Sequence, residues 1–189
     1  NENEGTVSQK DLILYKYTKL TKLSEEFAMY QATNWEEWFS NALGRAVAGT
    51  ENTIFTSATG TGEPEGVVTG ATVANTTATT DVILPAELAA FFGYLGNGYD
   101  VDGEIGMLMA NTTKWYLAGQ TGNPFLYQMT PAGTPDNIMG TPVVVNDVLE
   151  PYTTASAKCI VRGNFNHYAV VEKPGIIVQR NPYLFMGTG

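Results

Sequence analysis

The spacing of hydrophobic residues predicts one long helix in the first third of the chain. Thr33 and Glu36 have the spacing of a capping box, which satisfies backbone N–H groups in a first helical turn. We therefore predict a helix from Trp35 to about Phe55, with both of its tryptophans packed against the core rather than forming a ligand platform. Its apolar face follows the i, i+3, i+4 pattern and consists of Trp35, Trp38, Phe39, Ala42, Leu43, Ala46, Val47 and Ile54.

Two shorter helices are predicted further along the chain. Pro85 suits the first turn of a helix, which Gly96-Asn97-Gly98 would end. Asn111 is placed to cap another helix, which stops at Gly119. Two stretches rich in Gly, Thr and Pro, residues 56–70 and 120–139, are predicted to be loops.

Strands are predicted on both sides of these helices. Alternating residues between Gln9 and Leu23 predict a strand with lysines facing solvent or a partner, and Glu104–Ala110 reads as a buried strand. Four more strands are expected in the last third, in TPVVVND, KCIVRG, HYAVVE and GIIVQ. Since helices and strands do not alternate strictly, the fold class predicted is α+β rather than a doubly wound sheet.

The amino-acid composition narrows the range of functions that the chain could have. The 189 residues carry a net charge of −9, and residues 61–157 contain Lys114 as their one basic residue against ten acids. The basic cluster of a nucleic-acid binder is absent, and so is the run of about 18 apolar residues needed to span a membrane. Only 15% of residues are charged, below the ~25% of ordinary soluble domains, so we expect surfaces that are rich in loops or covered by partners.

Few residues offer catalytic or metal-binding chemistry. One cysteine and one histidine exclude an internal disulfide and a multi-histidine metal site, and no cofactor is predicted. Cys159 and His167 could form a nucleophilic pair only if their two strands were neighbours, and a buried thiol with a strand-edge imidazole is the simpler interpretation.

Carboxylates and aromatic residues leave two further alternatives. A glycosidase could use Glu63 and Glu65, or Asp100 and Asp102, but Glu63 and Glu65 flank a proline in an open loop without an apolar pocket. A monomeric binding module could use Trp115 and Tyr116, although these residues more simply pack the third helix.

Four segments, in this order, resemble the major capsid protein family of tailed bacteriophages, which has the Hong Kong 97 fold. Residues 19–68 resemble the family's turn, long spine helix and "G-t-G-x-P-x-G-i" loop, and residues 107–126 its "v-M-n-x-x-T" strand and helix. Residues 138–151 resemble "l-l-G-x-P-V-v", and residues 159–183 resemble the "G-d-f-x-x-y" segment. Two departures occur where the family has an acid: Gln120 and Thr121 in the second segment, and Asn164 in the fourth.

The resemblance implies a division of the chain. Residues 1–23 would be the returning strand of an extended hairpin, and residues 24–66 a peripheral domain built on the spine helix. Residues 67–150 would form a mixed-sheet axial domain, and residues 151–189 its end and the return to the peripheral domain. On this basis we expect a trimmed copy, encoded by a prophage, that begins within the hairpin and stops before the closing peripheral strand.

The resemblance also implies a function. The chain would be a structural protein, not an enzyme, that assembles into pentamers and hexamers of an icosahedral head around DNA, in the host cytoplasm, together with scaffold, protease and portal proteins. The alternative with the same fold is an encapsulin-like compartment shell holding a cargo enzyme. From position and charge, the subunit-interface residues expected are Lys10, Lys16, Lys19, Lys22, Asn123 and Pro124.

Overall fold

A computed structural model describes most of the chain, and its mixture of helices with one mixed sheet confirms the α+β class. The described residues are 12–22, 35–96, 105–120, 127–128, 136–173, 175, 177–179 and 181. The helices are α1 (Trp35–Ser57), α2 (Val67–Gly70), α3 (Pro85–Gly93) and α4 (Asn111–Ala118). The strands are β1 (Ile105–Met109), β2 (Tyr127–Gln128), β3 (Asn137–Ile138), β4 (Thr141–Val145) and β5 (Ile160–Asn164).

Helix α1 begins at Trp35 as predicted and ends two residues beyond the expected Phe55. Thr33, half of the predicted capping box, lies outside the described residues. The predicted apolar face is confirmed in part: Phe39, Leu43 and Val47 are half-buried, whereas Trp38 is 57% exposed and does not pack against the core. The side chain of Trp35 lies outside the described residues. The buried positions described in α1 are Ile54 and Thr56, in its last two turns. The helix is therefore held at its C-terminal end.

The loop predicted after α1 is shorter than expected and ends in the single turn α2. Residues 58–66 form a closed loop in which Thr59 and Glu65 make an antiparallel bridge and the Gly66 N–H donates to the Ala58 carbonyl. A Cβ on Gly66 would lie 2.6 Å from the Ala58 nitrogen, so the close approach of the two backbones requires glycine.

The five strands form one sheet in the order β2-β3-β4-β1-β5. Strand β1 runs parallel to β4 and antiparallel to β5, and β2, β3 and β4 are joined antiparallel. Strands β2 and β3 fall inside the stretch predicted to be a loop, which corrects that prediction. Each is two residues long, too short for alternation to be visible. Met139 and Gly140 both have positive φ, as in the two-residue turns that close tight hairpins.

One apolar cluster links the sheet to α3 and α4. Met107, Met109 and Ile138 are fully buried in it, and Tyr116 and Tyr152 stack at its border with ring centroids 4.0 Å apart. Its buried members are Ile83, Leu88, Met107, Met109, Leu117, Ile138 and Val143. This cluster is the core of what we call the sheet body, the sheet with α3 and α4.

Both short helices begin close to the predicted positions but differ in detail. Pro85 lies in the first turn of α3 as predicted, and the helix ends at Gly93, three residues before Gly96, because its last turn tightens through a bond from the Tyr94 N–H to the Phe91 carbonyl. Asn111 is the first residue of α4 rather than its cap. The carboxylate of Asp147 accepts the Asn111 N–H at 3.0 Å and does the capping instead.

The strands predicted at the two ends of the sequence are not formed in the described residues. Residues 12–22 make no ladder, and β5 is followed by a 3₁₀ turn, Phe165–His167, and then by residues 168–173 without a ladder. The described part of GIIVQ also lacks one. Alternation predicts the side-chain pattern of a strand, but a ladder needs a second strand alongside, and no described strand lies there.

Candidate interaction surfaces

The segment from residue 12 to residue 22 is exposed, apolar and basic, and we call it the basic segment. Ile13 is 69% exposed, and Lys16, Lys19 and Lys22 are all exposed as well. The segment contains no acidic residue. Its further large apolar side chains on the surface are Leu12, Leu14, Tyr17 and Leu20. Three of the predicted interface lysines thus lie on one accessible strip, while Lys10, Asn123 and Pro124 fall outside the described residues.

A second exposed apolar strip follows β5. Val170 and Val171 are about half exposed, and Ile177 is 85% exposed. Surface apolar residues occur singly in most proteins, so consecutive ones in two separate segments make these segments candidate interaction surfaces.

The closed loop after α1 holds one carboxylate in place. Glu63 Oε1 accepts hydrogen bonds from the Thr59 N–H at 2.8 Å and from the Thr59 hydroxyl at 2.9 Å. These bonds, the backbone one first, lower the pKa of Glu63 below its ordinary 4.5. Partial desolvation raises the pKa of Tyr17 in the basic segment, and the negative charge of Glu63 adds to that rise.

The geometry of this loop argues against the glycosidase alternative. A general acid needs a raised pKa, whereas the two bonds from Thr59 lower the pKa of Glu63. Asp100 and Asp102 lie outside the described residues. Nothing in the described part of the chain gives Glu63 the apolar environment that a glycosidase acid requires.

The Cys159–His167 pair is also not formed. Cys159 precedes β5 and His167 follows it, so the five residues of the strand separate them by roughly 17 Å. Burial raises the pKa of the Cys159 thiol, which opposes a nucleophilic role. The neighbouring strands that such a pair would need are not formed, because His167 lies in a 3₁₀ turn.

A cleft of about 810 Å³ lies between residues 71–83, α3 and the chain leading into β5. Its two basic side chains are engaged within the chain. Lys158 donates to the Val68 and Ala71 carbonyls, both at 2.8 Å, and closes the C-terminal end of α2. Arg162 donates to the Phe92 carbonyl at 3.2 Å and lies over the Phe92 ring. Lys158 therefore holds α2 in place, and Arg162 holds α3.

The two aromatic residues of α4 behave differently. Tyr116 stacks on Tyr152, and its hydroxyl accepts the Ile83 N–H at 3.3 Å, so it packs the helix as expected. Trp115 is 54% exposed, which corrects the expectation that it packs too. Lys114 lies 5.5 Å from the Trp115 ring and pairs with Asp136 at 2.7 Å.

The described residues lack two further kinds of site, a metal centre and a membrane-spanning helix. No group of three or more His, Cys, Asp or Glu side chains there is arranged to hold a metal ion. No described helix combines the length and the hydrophobicity that crossing a bilayer demands.

A comparison with models of protein families shows which family the chain belongs to. The model of the Phage capsid family matches residues 1–189, the whole sequence. The chain belongs to the Phage capsid family. This membership confirms the resemblance seen in the four sequence segments.

Structural comparison gives the same fold. The chain is similar to one in a solved structure described as "Capsid of empty GTA particle computed with C5 symmetry", with a TM-score of 0.68 and 24% sequence identity. The match covers 85% of this chain and 60% of the other, so this capsid-family chain spans less than two thirds of the protein it resembles. A search of curated proteins finds no match.

Proposed function

We propose that this chain is the structural subunit of a phage head, a major capsid protein that assembles with copies of itself into pentamers and hexamers of a closed shell. The observation that carries the proposal is the family match over all 189 residues. The fold shared with a capsid chain supports it. Lattices of this kind use heterologous contacts that close into rings.

The surface chemistry supports assembly of copies. Only 15% of residues are charged, and the basic segment and the strip after β5 expose consecutive apolar side chains. Burying such strips against another subunit is favourable at roughly 25 cal/mol per Å² of apolar surface. The predicted strands in these two segments would then find their ladders at contacts with other chains.

The proposal extends to the domains. The sheet body lies within the proposed axial domain of residues 67–150, except β5, which belongs to the proposed axial end and return in residues 151–189. Helix α1 is the proposed spine of the peripheral domain, residues 24–66, and the basic segment lies in the proposed hairpin strand, residues 1–23.

The partners and location follow from the same proposal. The chain would belong to the virion head, assembled in the host cytoplasm with scaffold, protease and portal proteins. Its acidic balance suits a wall around DNA, because strong affinity for phosphates would hinder packaging and release. A compartment shell with an enzyme cargo is the alternative, and neighbouring genes for terminase and portal proteins would exclude it.

The direct test is expression of the chain alone, followed by negative-stain electron microscopy and light scattering. The proposal predicts closed particles or rings of five and six subunits. A folded chain that stays monomeric over a wide concentration range, with or without a co-expressed scaffold, contradicts it.

We also propose that Lys16, Lys19 and Lys22 contact an acidic surface of a neighbouring subunit. Their segment has no acid of its own, and the whole chain has an excess of nine negative charges. Reversing Lys16 and Lys19 to Glu should slow assembly at least tenfold at low salt, because both contacts become repulsive. Turbidity measures this rate. Arg45, which is exposed on α1 and lies outside both strips, supplies the control: an equal slowing of assembly by Arg45→Glu excludes a specific role for the basic segment.

A further inference from the structure

Helix α1 meets the sheet body through a small cluster of polar side chains. Asn146 Nδ2 donates to Asn52 Oδ1 at 3.1 Å, and Asn52 Nδ2 donates back to Asn146 Oδ1 at 3.2 Å. Asn146 Nδ2 also donates to the Thr56 hydroxyl at 2.8 Å. Asn52 and Thr56 are four residues apart, so they lie on one face of the helix. Both contacts of the helix in this cluster thus go to a single side chain.

Asn146 is held firmly by the sheet. Its N–H donates to the Met109 carbonyl at 2.9 Å, which continues the hydrogen bonding between β4 and β1 by one residue. Its Oδ1 also accepts the Val148 N–H at 3.1 Å and so shapes the turn after β4. The backbone of Asn146 therefore belongs to the sheet body, while its side chain reaches α1.

A second contact holds the C-terminal end of the helix. The Tyr168 hydroxyl lies 3.1 Å from the Glu65 carbonyl and 3.4 Å from that of Phe55, and can donate to either. Ile54 and Ala58 are buried beside it. Before Ile54, every α1 side chain that the structure describes is exposed or half-buried. The C-terminal end of α1 is thus fixed by these contacts, and the amides of Asn52 and Asn146 oppose a sideways tilt of the helix.

We propose that the Asn52–Asn146 pair is a latch that sets the direction of α1 relative to the sheet body, and that opening it lets the helix swing about its last turn. Asn52 is exposed, so water can replace its bonds when the latch opens. Close apolar packing would resist such movement, whereas two exchangeable amide bonds do not.

The helix amplifies any movement at the latch. Asn52 and Trp35 are 17 residues apart, which is roughly 26 Å along a helix axis. A tilt of ~10° would move the Trp35 end by about 4–5 Å. The latch therefore controls the position of the exposed Trp38 far more than that of the sheet.

The test is a distance between spin labels on Ser40, exposed on α1, and Thr153, exposed beside the sheet body. Labels are placed on cysteines at these positions in a Cys159→Ser background, and labelled chain is diluted in a large excess of unlabelled chain so that only distances within one chain are read. The latch predicts one narrow distance distribution for the parent. Ser40 and Asn52 are 12 residues apart, roughly 18 Å along the helix axis, so Asn52→Ala should broaden the distribution by about 3 Å for the same ~10° tilt.

Thr53→Ala is the matched control, because the bond that the described residues give the Thr53 hydroxyl stays within the helix, to the Gly49 carbonyl at 3.0 Å. Asn146→Ala should broaden the distribution at least as much as Asn52→Ala does, because it also removes the bond to Thr56. The double variant should broaden it no further than Asn146→Ala, since the bonds between the two amides are already absent there. If Asn146→Ala does not fold, Asn52→Ala alone decides. An unchanged distribution in Asn52→Ala, or equal broadening in Thr53→Ala, overturns the proposal.

Discussion

The sheet body and the two exposed strips show the same kind of sequence pattern with opposite outcomes. Strands β1 and β4 and the basic segment are all apolar runs with strand-like character, yet Met107 is fully buried and Ile13 is 69% exposed. In the sheet body, β1 has β4 on one side and β5 on the other. The hydrophobic pattern therefore shows which residues favour burial, and only the topology shows whether the same chain buries them.

This difference connects the sheet body with folding and the two exposed strips with assembly. The sheet body closes its own core and needs no further chain for its fully buried residues. The strips bury little within the described part of this chain, so their apolar surface is available for contacts between copies. Substitutions in the two regions should accordingly affect different measurements.

The largest expected effect is in the core. Met107→Ala should lower the free energy of unfolding by about 2–5 kcal/mol, because it leaves a cavity in a fully buried position. Ile13→Ala should change it by less than about 0.5 kcal/mol but impair assembly. Chemical denaturation and light scattering measure the two effects. The comparison fails if Ile13→Ala destabilises the chain as much as Met107→Ala does.

The next effect concerns two glycines, one within the long helix and one at the end of the loop that follows it. Gly66→Ala should destabilise by about 1–3 kcal/mol, since its Cβ meets backbone atoms of Thr56, Ser57 and Ala58 within 3 Å. Gly44, in the exposed part of α1, has open space around it. Gly44→Ala should stabilise by about 0.5–1 kcal/mol. Thermal unfolding checks both signs, and a stabilising Gly66→Ala would show that the loop does not close on the helix.

A smaller effect concerns the cap of α4. Asp147→Ala should cost about 1 kcal/mol in stability, because the Asn111 N–H loses its acceptor. Asn111→Ala keeps that backbone N–H and should cost less than about 0.5 kcal/mol. Urea denaturation distinguishes the two. Equal losses of stability would show that the Asn111 side chain contributes to the cap as much as Asp147 does.

The smallest effect is local and depends on pH. The folded-state pKa of Glu63 is lower than its ordinary 4.5, so its bonds to Thr59 stabilise the loop above that pH and are lost as the pH falls through the folded value. The Thr59 amide resonance should titrate with a midpoint below 4.5, and Glu63→Gln should abolish that titration. A midpoint above 4.5 would mean that the loop does not hold the carboxylate.

Much of the fold could be predicted from local signals. Trp35 and Pro85 mark the starts of α1 and α3, and β1 follows a single apolar run. What failed depended on neighbours distant in sequence. The alternating residues after β5 have no described strand beside them, and Trp38 is 57% exposed although it belongs to the apolar face of its helix.

The cap of α4 is a feature that could not be predicted from the sequence alone. Because β1 and β4 are parallel neighbours, their carboxyl ends meet at the same edge of the sheet. The acid that follows β4, Asp147, therefore reaches the helix that follows β1. The sequence contains both residues, but their meeting depends on a strand pairing that no local pattern reveals.

The interface residues are a similar case. The lysines at 16, 19 and 22 were predicted from charge and position, and the structure shows that they are exposed, not what they contact. Contacts between subunits depend on the shape of a second copy. Local sequence indicates only that this strip is basic and apolar.

The most direct test of the account is amide hydrogen exchange, followed by mass spectrometry, on assembled particles and on the same chain after dissociation. Assembly should slow exchange at least tenfold in residues 12–22 and 168–173, while β1 and β4 stay equally protected in both states. Strips that exchange equally fast in particles and in dissociated chains would contradict the claim that other subunits cover them.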